Sequence, residues 1–143
     1  MRNYLWLILL AGLLMSFSSR AHDDWKAVEY SMETASEPSP LPDRIVLTWE
    51  DDTSTTQSVT WRTDTSVEVG SAQIAVANSN GWVLKPETFQ AETTRFKSDI
   101  NEANYHSVTF RNLSPDTLYA YRVGDGVNWS EYLHFSTASD EPK

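Results

Sequence analysis

The sequence predicts an all-β protein, a two-sheet Greek-key sandwich preceded by a signal peptide and a Pro-rich lead-in. Three observations lead to this prediction: short segments alternate apolar and polar residues, turn-forming residues separate them, and helical periodicity is almost absent. The clearest example runs from His106 to Val123, which reads as strand, tight corner and strand. In its first half, His106, Val108 and Phe110 alternate onto one face.

The corner itself has the pattern Leu113-x-Pro115-x-Thr117-x-Tyr119. Proline fixes one backbone dihedral and the following Asp can bond nearby backbone, so the pattern predicts a turn. A Tyr that opens the next strand is typical of a tyrosine corner, in which the hydroxyl bonds backbone upstream. We therefore predict structural roles for Leu113, Pro115, Tyr119 and Tyr121, with the Tyr119 hydroxyl bound within residues 112–116.

The other strands are predicted from the same alternation. On residues 58–63, Val59 and Trp61 point inward, and Trp61 is expected at the centre of the core. On residues 72–77, Ile74 and Val76 share one face. The sequence indicates polar connections at residues 50–56, 78–81 and 97–104, and a hairpin turn at Asp125-Gly126. The remaining predicted strands are residues 45–49, 82–84, 89–96, 105–111, 118–124 and 131–137.

The chain is expected to begin with a secretory signal. Arg2 supplies positive charge, residues 5–15 are apolar, and Ser19 and Ala21 are small residues suited to signal peptidase. We place cleavage after Ala21; the alternative is an uncleaved N-terminal anchor, although the apolar run is short for a membrane span. Residues 22–42 form an extended lead-in, residues 43–137 the folded domain, and residues 138–143 a tail or the start of a linker.

Charge and cysteine content limit the possible partners. The formal net charge is −9, and loss of the two Arg in residues 1–21 makes the mature chain more acidic. Such a chain is repelled by nucleic acid and by anionic membrane surfaces, so neither is an expected partner after signal cleavage. With no Cys, the chain has neither a disulfide framework nor a lipoprotein anchor. The expected location is the periplasm or the exterior.

Few residues carry possible chemistry. The sequence has neither a G-x-S-x-G elbow nor a Gly-rich phosphate loop, and we assign no catalytic or cofactor-binding residue. His106 is expected to be a hydrogen-bonded core residue, and His134 to face solvent. His22 is the one candidate metal ligand, since cleavage before it would join an α-amine to an imidazole, a combination that suits copper. Trp82 and Trp129 lie near turns as candidate exposed or edge-packed aromatics.

Several segments resemble a fibronectin type III module and, more closely, the N-terminal domain of purple acid phosphatases. They read PDRIVLTW at residues 42–49, SVTWRT at 58–63, HSVTFRNLSPDTLYAYRVG at 106–124 and FST at 135–137. The resemblance implies a separate C-terminal metallophosphoesterase domain, in which two metal ions hydrolyse phosphate monoesters. The metal-binding motifs of that domain are absent from the sequence, and Gly124-Asp125 is interpreted as a turn.

The leading hypothesis is a noncatalytic accessory domain of an exported acid phosphatase. The expected partner is a catalytic domain in cis, which would hold both metal ions. The chain stops where that domain is expected to begin, so it is either a truncated product or a stand-alone copy. A free-standing secreted binding module for glycan or protein is the first alternative. A small copper-binding protein that uses His22 is the second.

Overall fold

The computed structural model describes residues 36–77 and 85–141. The chain divides into two compact units, residues 1–30 and 31–143, and all described residues lie in the second. Eight strands are described: β1 (Asp43–Thr48), β2 (Gln57–Thr63), β3 (Ser71–Val76), β4 (Glu87–Gln90), β5 (Glu92–Lys97), β6 (Glu102–Phe110), β7 (Leu118–Gly124) and β8 (Leu133–Ser136).

The strands form two four-stranded antiparallel sheets. The first sheet has the order β1-β2-β6-β5 and the second has the order β4-β3-β7-β8. Neighbours in sequence are repeatedly placed in different sheets, as happens from β2 to β3 and from β6 to β7. This arrangement confirms the predicted all-β, two-sheet sandwich. No helix in the described ranges has the length and apolar character needed to cross a bilayer.

The core lies between the inward faces of the two sheets. Alternation along β2 places Val59 and Trp61 inward, and the matching register on β6 brings Val108 and His106 beside them. The second sheet contributes its own alternating residues from β3 and β7. The buried apolar cluster comprises Val59, Trp61, Ala72, Ile74, Ala91, Val108, Phe110, Leu113, Tyr119, Tyr121 and Val123.

Residues 89–96, predicted as one strand, are two strands in different sheets. β4 pairs with β3, whereas β5 pairs with β6, and Ala91 stands alone between them. Ala91 is buried, and its N–H donates to the Gly70 carbonyl at 2.9 Å. The chain therefore crosses between the sheets within a single residue. The prediction of one strand was wrong because the Thr-rich alternation continues through the crossing.

Two smaller expectations also differ from the structure. The polar loop predicted at residues 97–104 is shorter, since β6 already begins at Glu102 and pairs with Lys97 on β5. Val76 shares a face with Ile74 but lies at the end of β3, where it is 59% exposed. The predicted turn at residues 78–81 and the short strand at 82–84 fall outside the described residues, as do the signal peptide and most of the lead-in.

The end of the lead-in is held against the first sheet by Arg62. This side chain lies on the outer face of β2 and is almost fully buried. Its Nε donates to Asp43 Oδ1 at 2.8 Å, and its Nη1 donates to the Ser36 carbonyl at 2.9 Å. One buried guanidinium thereby joins the start of β1 to residue 36.

Candidate functional site

His106, the histidine with the most enclosed position in the described chain, lies in the core beside Trp61. The two residues are direct partners in the β2–β6 register, and their ring centroids are 5.3 Å apart. Both side chains are about 1% exposed. Burial lowers the pKa of the imidazole, because a charged ring would lose its hydration there.

Both ring nitrogens of His106 are bound by threonine hydroxyls. Nε2 lies 2.8 Å from Thr63 Oγ1, and Nδ1 lies 2.8 Å from Thr93 Oγ1. Thr63 donates its single hydroxyl proton to the Asp64 carbonyl, so it must accept from Nε2–H. Nδ1 then accepts from Thr93. The neutral ring is fully satisfied, and neither nitrogen is left for a metal or a substrate.

Gly70 provides the space that this pair of rings occupies. A β-carbon at this position would lie 2.6 Å from His106 Nδ1 and 2.9 Å from Trp61 Cζ2. Trp61 Nε1 is buried without a hydrogen-bond acceptor among the described residues. The contribution of Trp61 is therefore the packing of its ring rather than a polar contact.

The predicted tyrosine corner has a defined geometry. The Tyr119 hydroxyl accepts a hydrogen bond of 2.8 Å from the N–H of Ser114. The Tyr119 ring stacks on Phe135 at a centroid distance of 5.6 Å, and Leu113 is buried beneath the corner. Pro115 precedes Asp116, which adopts a positive φ of 45°. Tyr121 also packs against Phe135, with centroids 5.8 Å apart.

The Gly124-Asp125 dipeptide lies in a closed turn. Asp125 Oδ1 accepts from the N–H groups of Val127 and Asn128, and Oδ2 accepts from Asn128 Nδ2. Gly126 takes the positive φ of 94° that the turn requires. The carboxylate is thus used to fold the β7–β8 connection.

No group of three or more potential metal ligands converges within the part of the chain that is described. His134 is exposed on β8, on the opposite face from Leu133 and Phe135. His22, the candidate copper ligand, lies outside the described residues. The two described histidines, His106 and His134, lie in different sheets.

The Trp129 ring packs against the guanidinium group of Arg122. The Arg122 guanidinium lies 4.6 Å from the Trp129 ring centroid and 4.8 Å from that of Tyr132. Arg122 Nε also donates to Gln73 Oε1 at 2.8 Å. The stacked side chains of Arg122, Trp129 and Tyr132 cover part of the outer face of the second sheet. Trp82, the other candidate aromatic, falls outside the described residues.

A groove of about 610 Å³ crosses the outer face of the first sheet. Its floor carries hydroxyls from three neighbouring strands, and Trp49, which is 72% exposed, stands at one end. Beyond Glu92 the edge of β6 has no partner from β5, and there the groove is also lined by Val108 and by Phe89 and Gln90 of β4 in the second sheet. The residues that form the hydroxyl floor are Thr48, Ser58, Thr60, Ser107 and Thr109.

Sequence reasoning missed this groove. It placed Trp49 at the end of the first strand and interpreted the outward Ser and Thr positions as ordinary surface. The alternation does put these hydroxyls on one face, which is a detectable signal. Their assembly into one surface depends on β2 pairing with both β1 and β6, and that register is set by contacts distant in sequence.

The sheet order and the tyrosine corner define a fibronectin type III-like β-sandwich, and solved structures of that class are similar to this chain. Astrotactin-2, a vertebrate-specific membrane protein, matches at a TM-score of 0.51 with 19% identity, covering 73% of this chain and 23% of that one. The chicken CNTN1 FN1–FN3 domains match at a TM-score of 0.46 with 19% identity, covering 71% and 31% respectively. A redesigned β-sandwich protein matches at 0.45 with 27% identity, covering 70% and 96%.

The family itself is shown by a match over most of the folded chain. The model of the purple acid phosphatase N-terminal domain matches residues 42–137, which is more than half of the sequence. The chain belongs to this family. No curated protein matches it significantly.

Proposed function

We propose that this chain is the noncatalytic accessory domain of an exported metallophosphoesterase of the purple acid phosphatase type. Its role is to flank and support a phosphatase domain in cis, and hydrolysis of phosphate monoesters belongs to that partner. The match over residues 42–137 carries the proposal.

The structural roles of the titratable residues in this domain support the assignment of hydrolysis to a separate domain. A two-metal phosphatase site holds its ions about 3.5–4 Å apart by several converging carboxylate, imidazole and amide ligands. In this domain both nitrogens of His106 bind threonine hydroxyls, and the Asp125 carboxylate closes a turn. These side chains stabilise the sandwich, so the metals are assigned to the partner domain.

The genomic sequence after the codon for Lys143 tests the cis arrangement. We expect an open reading frame, in phase or displaced by a frameshift, that encodes the G-D-x-x, G-D-x-x-Y and G-N-H-[DE] motifs of a metallophosphoesterase. A downstream region without any such motif in any frame would contradict the arrangement in cis.

Purified chain tests the noncatalytic assignment independently. We expect no turnover of an aryl phosphate at acidic or neutral pH with added iron, zinc or manganese. A metallophosphatase of known activity, assayed in the same metal solutions, is the positive control. Turnover that a chelator abolishes and metal restores would show that the domain is itself an enzyme.

A further inference from the structure

We propose that the groove on the outer face of the first sheet binds a neutral oligosaccharide. This binding role goes beyond support of a phosphatase domain and does not depend on it. The groove has the size of a ligand site, since such sites usually enclose about 300–1,000 Å³. Its composition selects the ligand: hydroxyls on the floor, an exposed aromatic ring at one end, apolar side chains of Phe89 and Val108 at the sheet edge, and one cation that is paired with carboxylates.

The floor is an ordered array of hydroxyl groups. Thr48 is opposite Ser58, which is opposite Thr109, and Thr60 is opposite Ser107 in the next row. Adjacent strands are about 4.8 Å apart, so the array presents donors and acceptors at regular intervals. An extended chain of sugar units presents hydroxyls along its edges in a similarly repetitive way.

Part of this array is already fixed by internal hydrogen bonds. Thr109 donates its proton to Glu50 Oε2 at 2.7 Å, so in the 2.8 Å contact with Ser58 it must accept. Ser58 Oγ therefore keeps acceptor capacity toward the groove. Among the described residues, the side-chain hydroxyls of Thr48, Thr60 and Ser107 have no hydrogen-bond partner. Fixed acceptors beside rotatable hydroxyls match the mixed donor and acceptor character of a sugar.

The charges of the groove disfavour ionic ligands. Arg111, the cation that lines it, lies 3.7 Å from Glu50 and 3.2 Å from Asp51. Glu92 adds a further negative charge at the other end. A phosphate or an acidic sugar would therefore meet repulsion. The Glu50 carboxylate is bound by Thr109 and Arg111, so the remaining charge that lines the groove is the negative charge of Glu92.

Trp49 supplies the apolar contact that a sugar requires. A pyranose ring has one face of C–H groups, and such a face packs on a flat aromatic ring while the hydroxyls at its edge bond neighbouring polar groups. Trp49 is 72% exposed and lies beside Thr48 and Glu50 at the end of the hydroxyl floor.

Direct titration of the purified chain tests the proposal. The probes are cello-, xylo-, manno-, malto- and chito-oligosaccharides, followed by calorimetry and by tryptophan fluorescence. We expect at least one to bind with a Kd of about 1 mM or tighter. Trp49→Ala should weaken that binding at least about tenfold, a loss of about 1.4 kcal/mol. Thr60→Val, which removes a floor hydroxyl at constant shape, should also weaken it.

Phe96→Ala is the matched control. Phe96 is 56% exposed on the same face of the sheet but pairs with Tyr105 outside the groove, so its loss should leave binding unchanged. Circular dichroism establishes that each variant is folded. The proposal is overturned if no oligosaccharide in the panel binds, or if Trp49→Ala binds as well as the wild type. It is also overturned if inorganic phosphate alone binds, or if Trp49→Ala changes only self-association in sedimentation.

Discussion

At the residue scale, a small number of buried aromatic and histidine side chains stabilise this sandwich by packing and hydrogen bonding. Trp61 and His106 pack against each other across β2 and β6, and Gly70 leaves them room. Tyr119 closes the corner before β7 by accepting from Ser114. Trp61 and Tyr119 are also positions that the sequence pattern predicted to be structural, so single substitutions there test the physical interpretation directly.

Removal of the Trp61 ring should be strongly destabilising. We expect Trp61→Ala to lower the free energy of unfolding by about 3–5 kcal/mol, because a fully buried ring would leave a cavity. Trp61→Phe should cost less, since it keeps an aromatic ring and removes an indole N–H that has no acceptor in the described structure. Urea denaturation measures both changes. Trp49→Ala is the exposed control, and an equal loss there would contradict this explanation.

The Tyr119 hydroxyl should contribute through its hydrogen bond to the corner. Tyr119→Phe keeps the ring stacked on Phe135 but leaves the Ser114 N–H without its acceptor. We expect a loss of about 1–3 kcal/mol in unfolding free energy. Tyr132→Phe keeps the ring that covers Arg122 and serves as the control, with little expected change. Equal stability of Tyr119→Phe and the wild type would show that the hydroxyl does not brace the corner.

The buried His106 should make stability depend on pH. Its pKa is lowered in the folded protein by burial, so the unfolded chain binds the proton more readily. The contribution of the neutral ring is complete above the unfolded pKa of about 6.5 and decreases as the pH falls toward the lowered folded value. Thermal unfolding between neutral and mildly acidic pH measures this slope.

His106→Gln should remove most of that slope, because the buried imidazole that resists protonation is then absent. If the stability of His106→Gln depends on pH as strongly as that of the wild type, other groups cause the pH dependence.

At the element scale, alternation predicted the strands well where each strand has one buried face. β7 begins and ends at the predicted residues, and the predicted second strand differs from β2 by one residue. The prediction failed at residues 89–96, where Ala91 divides β4 from β5. Local pattern does not reveal which sheet a segment joins, since that choice depends on β3 and β6, which are distant partners. The hydroxyl groove escaped prediction for the same reason.

The start of β1 depends on a single charged contact. Asp43→Asn would remove the carboxylate that faces the buried Arg62 guanidinium. We expect a loss of about 1–3 kcal/mol in unfolding free energy, since hydrogen bonds to charged groups are stronger than neutral ones. Glu102→Gln disrupts the exposed pair with Arg95 and should cost clearly less, since solvent-exposed ion pairs contribute little to stability. Similar losses of unfolding free energy in the two variants would show that the burial of Arg62 does not strengthen its contact with Asp43.

At the scale of the whole molecule, the fold and the family were predictable from the sequence, because segments in the range 42–137 carry both. Export remains a prediction from the first residues. If the signal is cleaved after Ala21, N-terminal sequencing of the protein recovered outside the cytoplasm should begin at His22. Full-length protein retained in the membrane fraction, with Met1 or Arg2 at its start, would support the uncleaved anchor instead.

The crossing at Ala91 bears on the pairing of strand edges between copies of this domain. It joins β4 and β5, which are the lateral strands of the two sheets on the same side of the sandwich. A lateral strand with unpaired backbone groups is a template for intermolecular β-pairing, and charged side chains discourage such pairing. Every residue of β5 is exposed, and Glu92, Arg95 and Lys97 are distributed along its length. The charges on β5, the strand that follows the crossing, therefore disfavour pairing of its free edge with a second copy of the domain.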